Sequence, residues 1–481
     1  MFLSADTGGG HRASAESLGK QFELLFPGST YDLLDVYQED GCAPYTTMKG
    51  KYKHLSANAA QWKIVYEFTN NKPFEVAENL RIRLVCEKRF RERIKSYSPD
   101  VVVSVHPLMN NVPASACKKI SQETGNHLPM FTVITDLASC HINWFSGREI
   151  ENLFVPSDAI RTLAKKKGGV PEEKIVQIGL PIRYDFAVQA EKLGDRMSDS
   201  GILYQLSLRE KLKISGEKRT ILVMGGGEGV GSLSSIVDAL FVDLSKRGLD
   251  ATLLVVCGRN EKLKHDIEDR EWDITSSQLR LSTKLPSCWS PPMVSPSSSG
   301  CLDESIANRI KRIVSKNTLN DALSSPLPIE ISSDEDEDEC PVEVDTNLGQ
   351  VDVVGLGFIT NIAEYMAASD VLVTKAGPGT IAEAAAVGLP VMLTSFLPGQ
   401  EEGNADFVIE KEFGTLIPDY DPVAIAEEVG NWLEDSELLT RMSSAATRAG
   451  APYAAREIAR AIGESALRWR DAQEIEVVSS S

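Results

Sequence analysis

His11 closes a glycine turn, Asp6-Thr-Gly-Gly-Gly-His11, that follows the apolar run Phe2-Leu3-Ser4-Ala5 and leads into a helical pattern over residues 13–26. Strand, glycine turn and helix in that order bring backbone N–H groups and one imidazole to the carboxyl edge of a sheet, where open α/β folds bind ligands. An imidazole titrates near neutral pH and can take a proton from an attacking group. A second stretch, Thr374-Lys-Ala-Gly-Pro-Gly-Thr-Ile-Ala-Glu-Ala384, ends a strand at Lys375, exposes N–H groups at Gly377 and Gly379, and starts a helix at about Thr380. Its positive dipole end is a seat for a diphosphate. Glu383, one turn inside, can accept from two ribose hydroxyls. A third, Pro398-Gly-Gln-Glu-Glu-Gly-Asn404, sets Gln400, Glu401 and Asn404 at a strand end, where amide and carboxylate oxygens can accept from sugar hydroxyls. The plainer alternatives are a structural histidine, a glycine turn used for packing, and a polar surface turn.

Other glycines carry less. Gly225 to Gly231, with Gly226 and Gly227, has Ser232 where a P-loop needs lysine, and Gly8 to Gly10 lacks the G-x-G-x-x-G spacing of a dinucleotide site. Both still allow close backbone approach to a phosphate or a sugar. No Asp-x-Asp stands at a strand end, and a helix N-terminus can neutralise a leaving diphosphate. No metal or other cofactor is therefore expected to be required, although stimulation by Mg²⁺ is compatible.

These residues need a scaffold. Apolar runs at 30–36, 101–105, 130–134, 153–155 and 175–178 alternate with helix-sized segments, as do 220–224, 251–256, 351–357, 371–374 and 390–394. Repeated βα units make parallel sheets. His106-Pro107, Thr135-Asp136 and Gly179 to Arg183 end strands and should gather near His11, with Cys140-His-Ile-Asn-Trp-Phe145 between them. The expected fold is α/β, with two facing Rossmann-like domains at 1–190 and 218–450, a linker at 191–217, and a C-terminal helix and tail at 451–481 that can return to the first domain. The opening strand looks short beside the usual length of about 5 to 6 residues.

A chain of 481 residues exceeds one ordinary core. No apolar run reaches the roughly 20 residues of a membrane span, and no leader pattern is read at Met1, so a soluble or peripheral protein is expected. Eight scattered cysteines without a C-x-x-C pair read as reduced thiols. Net charge is −19, but residues 1–215 hold 28 Lys and Arg against 25 Asp and Glu, a net +3 that leaves −22 for the rest. This balance disfavours nonspecific nucleic-acid binding and permits an anionic surface on the first half alone. Residues 37–75 are expected to be irregular, mixing Trp62, Tyr66, Phe68 and Phe74 with lysines, and residues 79–96 form a basic amphipathic helix; both suit a membrane interface or an ordinary solvated face. Residues 275–349, rich in Ser and Pro and ending in the acidic block 334–339, are expected to be a disordered insertion.

Together, Asp6 to Ala15, Gly225 to Gly231, Val256-Cys-Gly-Arg-Asn260, Lys375 to Ala384 and Pro398 to Asn404 resemble the monogalactosyldiacylglycerol synthases of plastids, GT-B glycosyltransferases related to the bacterial peptidoglycan N-acetylglucosaminyl transferase. The resemblance covers nearly all of the chain outside 275–349. It implies inverting transfer of galactose from UDP-galactose to 1,2-diacylglycerol, with His11 as base. The donor side would use Gly226, Gly227, Arg259, Lys375, Gly377, Gly379, Thr380, Glu383, Gln400, Glu401 and Asn404. Gly9, Gly10 and Pro44 would face the acceptor, and His141 and Trp144 an acidic-lipid activator, phosphatidylglycerol or phosphatidic acid. Ile142 stands where plant members usually carry proline. The implied place is the plastid (chloroplast) envelope membrane, as a peripheral protein. The alternatives are a glucosyl- or N-acetylglucosaminyl-transferase acting on another lipid, a UDP-sugar epimerase of similar fold, and a non-enzymatic lipid-binding protein.

Overall fold

The computed structural model describes residues 1–5, 9–47, 50, 52, 54–55, 58–225, 233–284 and 348–480. Two six-stranded sheets organise them, and every pairing is parallel. The first holds β1 (Phe2–Leu3), β2 (Leu33–Leu34), β3 (Val102–Ser104), β4 (Met130–Val133), β5 (Leu153–Val155) and β6 (Ile175–Gln177), in the order β2-β1-β3-β4-β5-β6. The second holds β7 (Arg219–Met224), β8 (Ala251–Val256), β9 (Val351–Leu356), β10 (Val371–Thr374), β11 (Val391–Leu393) and β12 (Gly414–Leu416), in the order β12-β11-β10-β7-β8-β9.

The central strands are apolar at successive positions because both faces are covered. In the first sheet, Val102 and Met130 pack beneath Ile82, Phe90 and Ile94 of the helix Lys72–Tyr97. Their neighbours Val103 and Phe131 face Ala15 and Leu18 of the helix Gly9–Leu25, together with Ile458 and Ile462. The last two residues belong to the helix Ala454–Ser480, so the C-terminus closes the first sheet. Residues 191–217 are largely helical. Leu193, Leu208 and Ile214 enter the core of the second half with Leu372 and Ile381.

Strand order decides where ligands fit. In the first sheet the chain leaves β1 for β2 on one side and later places β3 on the other, and β7 is flanked by β8 and β10 in the same way. Loops leaving such neighbours diverge and open a crevice at the carboxyl ends of the strands. His11 and His106 follow β1 and β3, and Lys375 follows β10.

Two expectations change. Residues 37–75 are not wholly irregular: Asn58 accepts from the Gln61 amide and starts the helix Ala59–Thr69, and Asn71 accepts from the Phe74 amide and starts the next. The expected disordered insertion, 275–349, is helical over its first ten residues. Asp273 accepts from the Ser276 amide at 2.7 Å at the start of the helix Ile274–Lys284. Ser277 is fully buried, and Arg280 donates to buried Asp238 at 3.0 Å. A low-hydropathy segment is held here by a cap, the Arg280–Asp238 pair, and Ile274 and Leu281 packed against the core. The rest of the expected insertion, 285–347, lies outside the described residues.

Candidate functional site

Helix Gly9–Leu25 brings His11 against the end of β4, where His11 Nδ1 lies 2.6 Å from Thr135 Oγ1. The Thr135 hydroxyl donates to the Val105 carbonyl at 3.4 Å. With that proton committed, Nδ1–H donates to Thr135 and Nε2 keeps its lone pair, a tautomer assigned from the bonding network. The His106 ring meets His11 edge-on at 4.8 Å, and the Trp144 ring lies at 6.0 Å. Burial holds the His11 pKa down at about 4, opposed by the Val105 carbonyl. His106 is also held well below its ordinary value, by burial and then by His11. His11 is therefore neutral near pH 7 and able to accept a proton.

Asp136, the next residue, is buried and accepts from Trp144 Nε1 at 2.5 Å. Burial raises its carboxyl to about 7, with Trp144 opposing and Glu401 adding. A buried carboxyl with a raised pKa, and no ion pair among the described residues, is a candidate functional group.

On the opposite wall the helix Pro378–Ala386 starts at Gly377. Pro378 has no N–H, and the Gly379 and Thr380 amides have no acceptor within the helix. A Cβ added at Gly379 would touch nothing, so this end is open. Lys375 Nζ donates to Glu401 Oε1 at 2.9 Å, and the Leu397 amide donates to Glu401 Oε2 at 2.9 Å. Glu383 is buried and receives the fork of Arg183, Nε at 2.7 Å and Nη2 at 2.6 Å. That pair joins the two halves. A second junction lies at 138–139: Ser139 Oγ donates to the Gln400 carbonyl at 2.7 Å and accepts from the Gly403 amide at 3.3 Å.

The expected residues therefore divide. His11 stands on one wall, and Lys375, Gly377, Gly379, Thr380, Glu383, Gln400 and Glu401 on the other. Gly9 and exposed Gly10 open the His11 helix. Asn404 is placed otherwise: it is fully buried, donates to the Ala376 carbonyl at 3.0 Å and accepts from the Ala138 amide at 3.2 Å, so it joins loops and offers a sugar nothing. Trp144 is fully buried and holds Asp136. His141 Nδ1 accepts from the Asn143 amide and Nε2 meets Thr69 Oγ1 at 3.1 Å, so both ring nitrogens are used within the protein. Arg259 is exposed and stacks on Phe358 at 5.4 Å, and Pro44 is exposed after a cis peptide bond. Gly226 and Gly227 lie outside the described residues. Thr135, Asp136, Ser139 and Arg183 received no role from the sequence. Three of them stand at or beside strand-end motifs it did mark, and only the partners were hidden.

Residues 11–182 match the family model for monogalactosyldiacylglycerol (MGDG) synthase, and residues 307–458 match the glycosyltransferase family 28 C-terminal domain. The probable monogalactosyldiacylglycerol synthase 3, chloroplastic, of Oryza sativa subsp. japonica is 28% identical over 470 residues, covering 96% of this chain and 74% of the relative. Monogalactosyldiacylglycerol synthase 2, chloroplastic, of Arabidopsis thaliana is 28% identical over 470 residues, covering 96% and 80%. The crystal structure of Acinetobacter baumannii MurG shares the fold, with a TM-score of 0.52 at 12% identity over 96% of this chain and 99% of that one. With both family models in order along it and relatives matched at 28% identity over nearly its whole length, the chain is similar to the monogalactosyldiacylglycerol synthases, on a GT-B glycosyltransferase fold.

Proposed function

We propose that the protein transfers galactose from UDP-galactose to the free hydroxyl of 1,2-diacylglycerol with inversion, giving a β-linked galactolipid. The observation that carries this reading is a neutral imidazole, its Nε2 lone pair uncommitted among the described residues, on one wall of a crevice whose other wall is an open helix N-terminus beside Lys375. His11 Nε2 takes the acceptor proton as its oxygen attacks the anomeric carbon from the face opposite UDP. The sugar–phosphate bond breaks, and the departing negative charge is received by the Gly379 and Thr380 amides and by Lys375. The Arg183 fork occupies one lone pair on each oxygen of Glu383 and leaves the others for two ribose hydroxyls. Gln400, whose side-chain amide has no hydrogen bond among the described residues, lies toward the sugar. This chemistry uses no metal, so chelation should leave turnover intact.

The lipid is reached at a membrane surface. No described helix is long and apolar enough to cross a membrane. Ile64, Phe68, Val76, Leu80, Leu84 and Val85 are exposed, and Lys63, Lys72, Arg83, Lys88 and Arg89 interleave with them. Apolar side chains among cations suit peripheral docking on anionic lipid such as phosphatidylglycerol or phosphatidic acid. The chloroplastic names of the relatives support a plastid envelope location.

The test supplies UDP-galactose and UDP-glucose in parallel with diacylglycerol vesicles, with and without phosphatidylglycerol. Galactolipid formation stimulated by the anionic lipid is expected. Preferential glucolipid formation would overturn the sugar assignment, and turnover of UDP-sugar without lipid would favour an epimerase.

A further inference from the structure

The helix Ala59–Thr69 has two faces with different surroundings. Ile64, Val65 and Phe68 are exposed. Trp62, Tyr66 and Thr69, spaced to share the other face, turn toward the crevice. Thr69 Oγ1 meets His141 Nε2 at 3.1 Å, and the Tyr66 and His141 rings stand edge to face at 5.4 Å. The Tyr66 ring also packs so closely on Gly399 that an added Cβ there would lie 2.7 Å from it. Trp62 sits one turn back, 6.2 Å from Tyr66 and 5.2 Å from Tyr52 between ring centres. This aromatic face borders the site, since Tyr66 feels the charge of Asp136, and Tyr52 that of Glu401 and Asp136.

Two polar groups on it are unclaimed. Trp62 Nε1 is buried without a hydrogen-bond partner, and the hydroxyl of buried Tyr66 makes no hydrogen bond among the described residues. An indole N–H can only donate, and burial keeps the Tyr66 phenol protonated, well above its ordinary titration range. Leaving a buried donor such as Trp62 Nε1 unmade is costly, so it points to an absent acceptor, and the Tyr66 hydroxyl on the same face is open to the same ligand. Diacylglycerol supplies that complement. Its two ester carbonyls only accept, and its one hydroxyl is the group His11 requires.

We propose that Trp62 and Tyr66 are the recognition residues for the ester carbonyls of the acceptor lipid, set on a helix that joins the exposed apolar surface to the crevice. This rests on the galactosyl-transfer reading and deepens it, because it makes the enzyme select diesters over diethers. The experiment compares 1,2-diacylglycerol with its 1,2-dialkyl ether analogue, matched in chain length and presented in the same vesicles, for the wild type, Trp62→Phe and Tyr66→Phe. Both substitutions keep the ring and remove one donor. The wild type should prefer the diester in kcat/KM. Each variant should lose about two- to tenfold of that preference, the range of one neutral hydrogen bond, with an unchanged KM for UDP-galactose showing an intact donor site. Diester-to-diether ratios equal to the wild type's in both variants would overturn the proposal while leaving galactosyl transfer standing. A wild type that galactosylates neither lipid would overturn the function on which it rests.

Discussion

Thr135→Val removes one oxygen, keeps the shape of a buried side chain, and should cost more in turnover than in stability. The hydroxyl holds His11 Nδ1 at 2.6 Å and fixes the tautomer with Nε2 as proton acceptor. In the transition state the imidazole gains a proton, so the bond becomes one from a charged donor, worth about 1.5–3 kcal/mol. At about 1.4 kcal/mol per tenfold, kcat should fall roughly 10- to 150-fold. The lower end applies where Nδ1–H turns to the Val105 carbonyl, which now receives the Thr135 proton. The KM for UDP-galactose should not move, because no donor-side residue is touched. Thr135→Ser should restore most of the rate. The assay is initial-rate galactolipid synthesis over a range of pH, with the melting temperature measured on the same samples. A valine variant within twofold of the wild-type kcat, with an unchanged pH profile, would refute the tautomer argument.

Three further outcomes follow from the geometry. Glu383→Gln keeps the volume and loses the charged acceptor. UDP affinity measured by calorimetry should drop on the order of 10- to 100-fold, and an unchanged affinity would remove Glu383 from the ribose seat. Lowering the pH should destabilise the fold. Burial depresses His11 and His141 to about 4 and His106 further, so the unfolded chain binds more protons and stability falls as pH drops from about 6.5 toward 4. Asp136, raised to about 7, acts oppositely, losing stability as pH rises from about 4 to 7. With three histidines against two raised carboxyls, Asp136 and Asp406, the melting temperature should decline between pH 6.5 and 4.5, and a flat profile would contradict their burial in neutral form. Finally, a deletion of 275–349 should melt several degrees below a deletion of 286–346, because only the longer one removes Ser277 and the Arg280–Asp238 pair; equal melting temperatures would show that the helix Ile274–Lys284 adds nothing.

The scaffold was readable because a buried parallel strand leaves an unmistakable trace: runs such as 220–224 and 371–374 return as β7 and β10. Strand order was not readable, since no local pattern says that β10 lies beside β7, and with it the switch points stayed hidden. The chemistry divided likewise. His11 and the turn at Gly377 to Thr380 are announced by glycines that precede helices. The partner of Glu383 is 200 residues away, and nothing near Glu383 names Arg183. Asn404 looked like a sugar ligand because its motif is polar, but burial turned the same amide into a backbone clasp across the two halves. The helix Ile274–Lys284 was obscured by composition: a cap, an ion pair and the packing of Ile274 and Leu281 hold residues whose average hydropathy argues against order.

The decisive measurement is the transfer of labelled galactose from UDP-galactose to diacylglycerol in phosphatidylglycerol-containing vesicles, run beside His11→Ala with UDP binding measured on both proteins. The wild type should give β-linked galactolipid, and the variant none above background while still binding UDP. Near-normal transfer by His11→Ala would contradict it.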